Sequence, residues 1–215
     1  MLAVSNLHID CVTTLIKSGA DPNVLDKDGH SCLFRAVVTG QHSVLHMLLP
    51  RSTVVNTPDS NGKTILHVSA AYGKLACTQR ILPYMEPTIA KACDKQNFTS
   101  LQWACYTGNF ECVAHFFKEG VFDCLEGNPF SAIHCAASAG SEQCIDLLYK
   151  QFGPETVKFK DMKCRTPLHV VAIHGHSDCA LYLLNLGAEI NVKDEDGRTP
   201  LMVAAMNGQI EVMGN

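Results

Sequence analysis

Short apolar stretches recur along the chain at a nearly constant spacing, and each lies between a hydroxyl-bearing residue and a glycine. The Ser and Thr residues that open these stretches are separated by 33, 35, 32, 35 and 33 positions: Ser31, Thr64, Thr99, Ser131, Thr166 and Thr199. Their hydroxyls can accept a hydrogen bond from an N–H of the first helical turn. Nine residues later a glycine, which adopts positive φ easily, ends each predicted helix: Gly40, Gly73, Gly108, Gly140, Gly175 and Gly208.

A second apolar run follows each glycine, as Leu181, Leu183 and Leu184 do after Gly175. This run predicts a second helix, antiparallel to the first. Asp-x-x-Gly sequences between the units predict hairpin-like tips at 26–29, 59–62 and 194–197. The longer connections 83–93 and 153–160 are predicted to enlarge the loops between repeats.

The period and the sequence Thr-Pro-Leu-His at 166–169 resemble the ankyrin repeat. Histidine recurs in this fourth position at His67 and His134, whereas Phe34 and Gln102 depart from the motif. The resemblance implies an all-α ankyrin-repeat solenoid of stacked helix-turn-helix units with hairpin-like tips. We expect one array over residues 1–215, with the ends cut from a longer array. Partial repeats span 1–25 and 194–215, and full repeats span 26–58, 59–93, 94–125, 126–160 and 161–193.

Composition and charge exclude several classes of partner. The net charge is −4 without a long basic run, which argues against nucleic acid. No apolar stretch approaches the ~18–20 residues that a membrane span requires, so we expect no membrane association. Eleven cysteines without a recognisable secretion signal favour free thiols in a reducing compartment, which means the cytoplasm, the nucleus or both.

Five residues between positions 164 and 179 have the side chains of zinc ligands: Cys164, His169, His174, His176 and Cys179. A structural zinc site requires four converging ligands. The repeat distributes these residues over a tip, two helices and a helix start, so we predict no metal site. His169 shares its position with His67 and His134, where a neutral imidazole is expected to hydrogen-bond the cap and neighbouring turns.

The cysteines are interpreted as core residues. Four positions after the repeat glycine, cysteine alternates with valine, which indicates a small buried apolar position: Val44, Cys77, Cys112, Cys144, Cys179 and Val212. Cys11 falls in the same position of the partial first repeat. Thiols there are too far apart for one disulfide or one metal ion. No hydrolase, P-loop or zinc-protease motif is present, so no catalytic residue and no cofactor is predicted.

Variable positions between these framework residues are the candidate partner-binding surface. They directly precede the caps or lie late in the first helices: His30, Lys63, Tyr72, Phe98, Tyr106, Phe130, Arg165, Ile173, His174 and Arg198. Phe98, Tyr106 and Phe130 form a candidate aromatic patch, and Arg165 and Arg198 suit carboxylate or phosphate groups. The alternative for Phe98 and Phe130 is that they pack on each other over an irregular tip. Trp103 is expected in the core.

Residues 101–113, 122–136 and 197–209 resemble the regulatory ankyrin-repeat subunits of protein phosphatase 6. The resemblance implies a non-catalytic scaffold of a serine/threonine phosphatase complex that recruits phosphoprotein substrates, and it assigns no phosphatase contact to a particular residue. Two alternatives stay open. One is an ankyrin adaptor in trafficking or signalling that acts without a phosphatase, and the other is a metalloprotein or thiol enzyme.

Overall fold

A computed structural model of the chain describes residues 1–6, 8–122 and 131–209, and every regular element in these ranges is a helix. The predicted all-α class is therefore confirmed. The chain divides into two compact units, Met1–Ser100 and Leu101–Asn215. None of the helices in the described ranges combines the length and the apolar character that crossing a bilayer requires.

The first unit is built from helical hairpins that stack on each other. α3 packs against α1, α4 and α5, and α6 packs against α4 and α5, so first helices contact first helices and second helices contact second helices. The α-helices of this unit are α1 (Leu2–Ser5), α2 (Ile9–Lys17), α3 (Cys32–Val38), α4 (His42–Leu48), α5 (Ile65–Ala71), α6 (Leu75–Ile81) and α7 (Pro87–Ala90). Short 3-10 helices follow α4 at Leu49–Arg51 and α6 at Leu82–Tyr84.

The second unit repeats this arrangement. α10 packs against α11 and α12, α12 packs against α13 and α14, and α11 packs against α9. Its α-helices are α8 (Ser100–Tyr106), α9 (Phe110–Lys118), α10 (Ala132–Ala139), α11 (Glu142–Phe152), α12 (Pro167–His174), α13 (Ser177–Asn185) and α14 (Pro200–Met206), with a 3-10 helix at Pro154–Lys158. The limits of the repeats within residues 1–215 stay predictions.

The predicted helix boundaries have the expected chemistry. Ser31 Oγ accepts from the N–H of Leu33 at 3.2 Å, and the hydroxyl of Thr166 accepts from a backbone N–H in the first turn of α12. All six repeat glycines have positive φ, from 61° at Gly73 to 78° at Gly175. Because a left-handed residue lets the last turn close its hydrogen bonds while the chain reverses, these glycines end the first helices.

The branched aliphatic two residues after each cap forms the core of its repeat. It is buried in five of the six copies: Leu33, Leu66, Leu101, Ile133 and Leu168. The sixth copy, Leu201, is 55% exposed. The predicted second helix of its repeat would begin in residues 210–215, which lie outside the described residues, so no described second helix covers α14.

The two long connections contribute to the core. Residues 83–93 contain α7, in which Ala90 is buried, and residues 153–160 contain the 3-10 helix in which Thr156 and Val157 are buried. These segments were predicted to enlarge loops. Each segment instead contains a short helix, and the side chains of Ala90 and Val157 are buried because apolar groups gain by leaving water.

Candidate functional site

The histidine in the fourth motif position joins one repeat to the next. Nδ1 of His67 accepts from the N–H of the cap residue Thr64 at 3.1 Å, so the neutral ring carries its proton on Nε2. Nε2 then donates to the carbonyl oxygen of Phe98, at 3.1 Å, directly before the next cap. The equivalent distances are 2.9 Å from His134 to the carbonyl oxygen of Arg165 and 3.1 Å from His169 to that of Arg198.

Burial keeps these imidazoles neutral. Desolvation lowers the pKa of His67, His134 and His169, and it outweighs the hydrogen bonds to carbonyl oxygens that favour the charged form. All three side chains are almost completely buried. The prediction that these histidines brace the cap and the neighbouring turn is confirmed, and they are part of the framework of the fold.

An aspartate organises each described tip, which we define as the five-residue segments 26–30, 59–63, 94–98, 161–165 and 194–198. Its Oδ1 accepts backbone N–H groups two and four residues later, as Asp161 does from Lys163 at 2.9 Å and Arg165 at 2.8 Å. Asp26, Asp59, Asp94 and Asp194 make the same pair of hydrogen bonds. The tips at 94–98 and 161–165 have Asn97 and Cys164 at the turn, both with positive φ, in place of glycine.

Backbone hydrogen bonds join neighbouring tips. In the first unit, the N–H of Ser60 donates to the carbonyl oxygen of Asp28 at 2.9 Å, and that of Lys95 donates to Asn61 at 2.9 Å. In the second unit, the N–H of Glu195 donates to Lys163 at 3.0 Å. Each of these bonds fixes the position of one tip against the next.

Arg165 and Arg198 are ion-paired within their own tips. Arg165 Nε and Nη2 lie 2.8 and 2.7 Å from Oδ2 of Asp161, and Arg198 Nε donates to Oδ2 of Asp194 at 3.0 Å. Arg198 also contacts the carboxylate of Asp196. Burial raises the pKa of Asp161, but the hydrogen bonds from Arg165 outweigh it and hold that pKa below its usual range. A partner's carboxylate or phosphate therefore has to compete with these aspartates.

The other predicted surface residues of the second unit lie on its first helices. Tyr106 is 47% exposed, and its ring meets the half-buried Trp103 edge-on with centroids 6.0 Å apart, so Trp103 is only partly in the core. Ile173 is half-buried. His174 is exposed, and its Nε2 lies 3.0 Å from the hydroxyl oxygen of Ser138 in the preceding repeat.

In the first unit, His30, Lys63 and Tyr72 line one groove of about 320 Å³. The groove lies between the first two tips, and α3 and α5 supply its remaining wall: Phe34, Arg35, Val38, His67, Val68 and Ala71. Tyr72 is 58% exposed at its edge. His30 Nε2 lies 3.3 Å from Oδ2 of Asp59, and the His30 ring packs on Phe34 with centroids 5.0 Å apart. The sequence placed these three residues on one surface, but it gave no sign of a groove.

The candidate aromatic patch stays a prediction. Phe98 is half-buried in the first unit, with its N–H bonded to Asp94 and its carbonyl bonded to His67. Tyr106 belongs to the second unit, and Phe130 lies outside the described residues.

A set of contacts that the sequence analysis missed uses the residue directly after the repeat glycine. Its side chain reaches back to the preceding first helix, as His176 Nε2 does to the carbonyl oxygen of Ser138 at 3.0 Å. Gln209 Nε2 donates to Ile173 at 3.2 Å, and Gln41 Nε2 donates to Val4. The partners are 36 to 38 residues apart and differ in side-chain type, so no local sequence pattern signals them.

The suspected zinc ligands at 164–179 have other roles. His169 uses both ring nitrogens in the cap and bridge hydrogen bonds, and His174 and His176 reach back to Ser138. Elsewhere in the described chain, donor atoms of Asp26, Asp28 and His30 lie within 4.8 Å of one another. Asp26 Oδ1 accepts the N–H groups of Asp28 and His30, and Oδ2 accepts from Arg35, so tip formation accounts for this cluster.

The thiols in the repeated cysteine position are mostly buried. Cys77, Cys112, Cys144 and Cys179 are buried as predicted, and burial raises the pKa of Cys179 to about 11. A thiol of this kind is a poor nucleophile at neutral pH. The prediction was wrong for Cys11, which is exposed. It lies on α2, which packs against α1 in the described chain.

Comparison with known families agrees with this geometry. A family model described as ankyrin repeats in three copies matches residues 1–91, 101–194 and 153–214. The chain belongs to the ankyrin-repeat family. Ankyrin repeats are protein-protein interaction scaffolds and are typically non-catalytic.

Curated ankyrin relatives differ widely in name. Human transient receptor potential cation channel subfamily A member 1 is 28% identical over 211 residues, 96% of this chain and 19% of the relative. The probable E3 ubiquitin-protein ligase XBOS33 of Oryza sativa is 26% identical over 193 residues, 88% and 31% of the two chains. The target of rapamycin complex 2 subunit AVO2 of Saccharomyces cerevisiae is 29% identical over 147 residues, 66% and 34%. The chain thus spans about a third or less of the length of these relatives.

Solved ankyrin structures have the same fold. The ankyrin-repeat domain of human ASB11 has a TM-score of 0.80 at 20% identity, covering 94% of this chain and 89% of that one. The ankyrin-repeat domain of Bcl-3, a member of the IkappaB family, has a TM-score of 0.73 at 20% identity, covering 100% and 96%. At this identity the likeness concerns the fold alone.

Proposed function

We propose that this ankyrin chain is the interaction scaffold of a regulatory subunit that brings phosphoprotein substrates to a serine/threonine phosphatase complex. The observation that supports the scaffold role is that the residues that hold the fold together are different from the residues that remain exposed. The bridging histidines and the tip aspartates form hydrogen bonds inside the fold, whereas Tyr72, Tyr106 and His174 remain exposed late in the first helices. Exposed aromatic side chains on a rigid support are typical anchors of protein interfaces.

The phosphatase part of the proposal rests on the sequence resemblance of residues 101–113, 122–136 and 197–209. The relatives named above include no phosphatase subunit. Arg165 and Arg198 supply a means of phosphate recognition if a dianionic phosphate displaces Asp161 and Asp194 as the partner of each guanidinium. Such a role requires the cytoplasm, the nucleus or both.

Affinity purification of the full-length parent protein, with crosslinking and mass spectrometry, tests the phosphatase part. We expect a phosphatase catalytic subunit and its companions to be recovered and crosslinked to this chain. Recovery of other complexes without any phosphatase subunit would overturn this part of the proposal.

The phosphate-recognition part needs a separate measurement. The double variant Arg165→Gln/Arg198→Gln is expected to lose binding of phosphoserine peptides. Lys150→Gln/Lys158→Gln, which removes two exposed cations of the same unit that are also paired with carboxylates, is the matched control. Circular dichroism of both variants checks that the helices are intact. Unchanged phosphopeptide binding by the double variant would exclude these two residues.

A second candidate function is an adaptor in signalling or trafficking without a phosphatase. The observation in its favour is that the yeast relative is named as a subunit of target of rapamycin complex 2. This candidate predicts that partner capture depends on exposed first-helix residues, while no phosphatase is purified with the parent protein.

A further inference from the structure

Two cysteine side chains meet in the core of the second unit. Cys105 lies on α8, the first helix of its hairpin, and Cys144 lies on α11, the second helix of the next hairpin. Both side chains are completely buried, and the thiol of Cys105 donates a hydrogen bond to the sulfur of Cys144. Cysteines in the same position of successive repeats are too far apart for a disulfide, but this pair combines two different positions and is in direct contact.

Cys144 has the surroundings of a stabilised thiolate. It is the third residue of the eleven-residue helix α11, where the positive end of the helix dipole favours a negative charge. The N-cap residue Ser141 accepts the N–H of Cys144 at 3.3 Å, and its hydroxyl donates to the Cys144 sulfur. The hydrogen bond from Cys105, together with that from Ser141, outweighs burial and holds the pKa of Cys144 below its ordinary value.

Cys105 has the complementary character of a thiol that keeps its proton. Burial and the hydrogen bond to Cys144 raise the pKa of Cys105. Cys135 on α10 is equally buried, and burial raises the pKa of its thiol as well. Among the described residues, no third cysteine, histidine or carboxylate places a ligand atom within 4.8 Å of both sulfurs. The pair therefore has the composition of a reactive dithiol, one sulfur being nucleophilic and the other protonated.

We propose that Cys105 and Cys144 are an oxidation site, which a peroxide converts into a disulfide between two neighbouring repeats. The thiolate of Cys144 attacks one oxygen of hydrogen peroxide, the O–O bond breaks, and Cys144 becomes a sulfenic acid while hydroxide leaves. This hydroxide takes the proton of Cys105, whose sulfur then attacks the sulfur of Cys144 and displaces a second hydroxide. The second hydroxide takes up the proton that Cys144 had lost.

The electrons and atoms of this reaction balance with the peroxide as the one oxidant. Hydrogen peroxide accepts two electrons and ends as two water molecules, while each sulfur loses one electron. Because hydrogen peroxide is small and uncharged, it can reach the buried pair during local opening of the repeats. The exposed Tyr106 directly follows Cys105 on α8, so the crosslink affects a residue of the candidate partner surface.

Peptide mass spectrometry tests this proposal with the folded 215-residue chain. Hydrogen peroxide is added stepwise, the remaining thiols are blocked with N-ethylmaleimide in denaturant, and the chain is digested without reduction. We expect a peptide pair joined through Cys105 and Cys144 that dithiothreitol separates. Its yield should exceed that of any disulfide containing Cys135 by more than about tenfold, because burial leaves Cys135 little thiolate.

Other repeats supply substitutions that the fold accepts at both positions. Alanine occupies the position of Cys105 at Ala137, and valine occupies that of Cys144 at Val44. Cys105→Ala is expected to stop the reaction at the sulfenic acid of Cys144, which dimedone traps. Cys144→Val is expected to leave Cys105 without a dimedone adduct. Cys135→Ala removes an equally buried cysteine of the same unit and is the matched control, which should keep the disulfide.

Three results would overturn the proposal. The first is the absence of the Cys105–Cys144 disulfide at a peroxide concentration that oxidises the exposed Cys164. The second is an equal yield of disulfides that contain Cys135. The third is a dimedone adduct on Cys105 in Cys144→Val as abundant as that on Cys144 in Cys105→Ala. None of these measurements involves a phosphatase, so the oxidation site and the proposed function succeed or fail separately.

Discussion

His169 Nε2 lies 3.1 Å from the carbonyl oxygen of Arg198, so one buried imidazole connects the cap of its own helix to the residue before the next cap. His169→Ala removes this bridge and the hydrogen bond to Thr166, and it leaves a buried carbonyl oxygen and a cavity. We expect a loss of about 2–3 kcal/mol in the free energy of unfolding, measured by urea denaturation. His174→Ala, at an exposed position, is the control and is expected to cost well under 1 kcal/mol. Equal losses for the two variants would contradict the bridging role.

The same histidines make stability depend on pH. Burial lowers the pKa of His67, His134 and His169 below their ordinary 6.5. Just below that pH, the unfolded chain therefore binds protons that the folded chain does not bind. Their contribution is complete above about pH 6.5 and is lost as the pH falls below that value, by at most about 1.4 kcal/mol per pH unit for each histidine.

Urea denaturation between about pH 5.5 and 8 measures this dependence, because carboxylates with ordinary or lowered pKa values are almost fully ionised throughout that window. The slope below pH 6.5 is expected to be shallower in His134→Ala/His169→Ala. A slope identical to that of the unaltered chain would assign the acid sensitivity to other groups.

Glycine is required at position 140 for two reasons, the positive φ and the close approach of the His176 ring, and substitutions can distinguish the two. Its φ is 65°, and an added Cβ would lie 2.7 Å from Nδ1 of the His176 ring. Gly140→Ala is expected to cost about 1–2 kcal/mol of backbone strain, plus about 1 kcal/mol for displacing His176 from Ser138.

Gly208→Ala is the matched variant, since Gly208 has a φ of 68° and no described atom lies within 4 Å of its would-be Cβ. Gly208→Ala is expected to lower the free energy of unfolding by the backbone strain alone. The double variant Gly140→Ala/His176→Ala completes a thermodynamic cycle by chemical denaturation, and strict additivity of the two changes would argue against the contact.

Cys11 and Cys179 occupy the same position of their repeats and are predicted to differ in reactivity. Cys11 is exposed, whereas Cys179 is buried and its pKa is raised to about 11. At pH 7.5 iodoacetamide should modify Cys11 more than about tenfold faster, as peptide mass spectrometry measures. The difference between the two modification rates should disappear in denaturant. Fast modification of Cys179 in the folded protein would show that α13 opens.

The features that could be predicted from the sequence are those that depend on side-chain type and local spacing. The caps, the repeat glycines and the bridging histidines each follow from side-chain type and fixed spacing, so Thr166, Gly175 and His169 could be assigned without coordinates. Three tips were recognised by their Asp-x-x-Gly sequence, whereas those with Asn97 and Cys164 in place of the glycine were located by the repeat spacing alone. The shared feature is the aspartate that bonds two N–H groups, as Asp161 does.

The candidate surface was less predictable, because it depends on contacts between repeats. The groove arises from the volumes of side chains on α3 and α5 together, and the contact of His176 with Ser138 spans 38 residues. Arg165 pairs with Asp161 and Arg198 pairs with Asp194, each four residues earlier, so these ion pairs follow from a spacing that is visible in the sequence. Cys11 shares the repeat position of the buried cysteines, so its exposure has no counterpart in the residue pattern.

The hydrogen bonds between neighbouring tips use atoms that nearly every amino acid possesses. The N–H of Ser60 meets the carbonyl oxygen of Asp28, and the N–H of Glu195 meets that of Lys163, whatever side chains these residues carry. Mutations at such positions can therefore accumulate without changing the distance from one repeat to the next. Evolution, or a combinatorial library, can alter what the surface recognises while the spacing of its recognition elements is inherited unchanged.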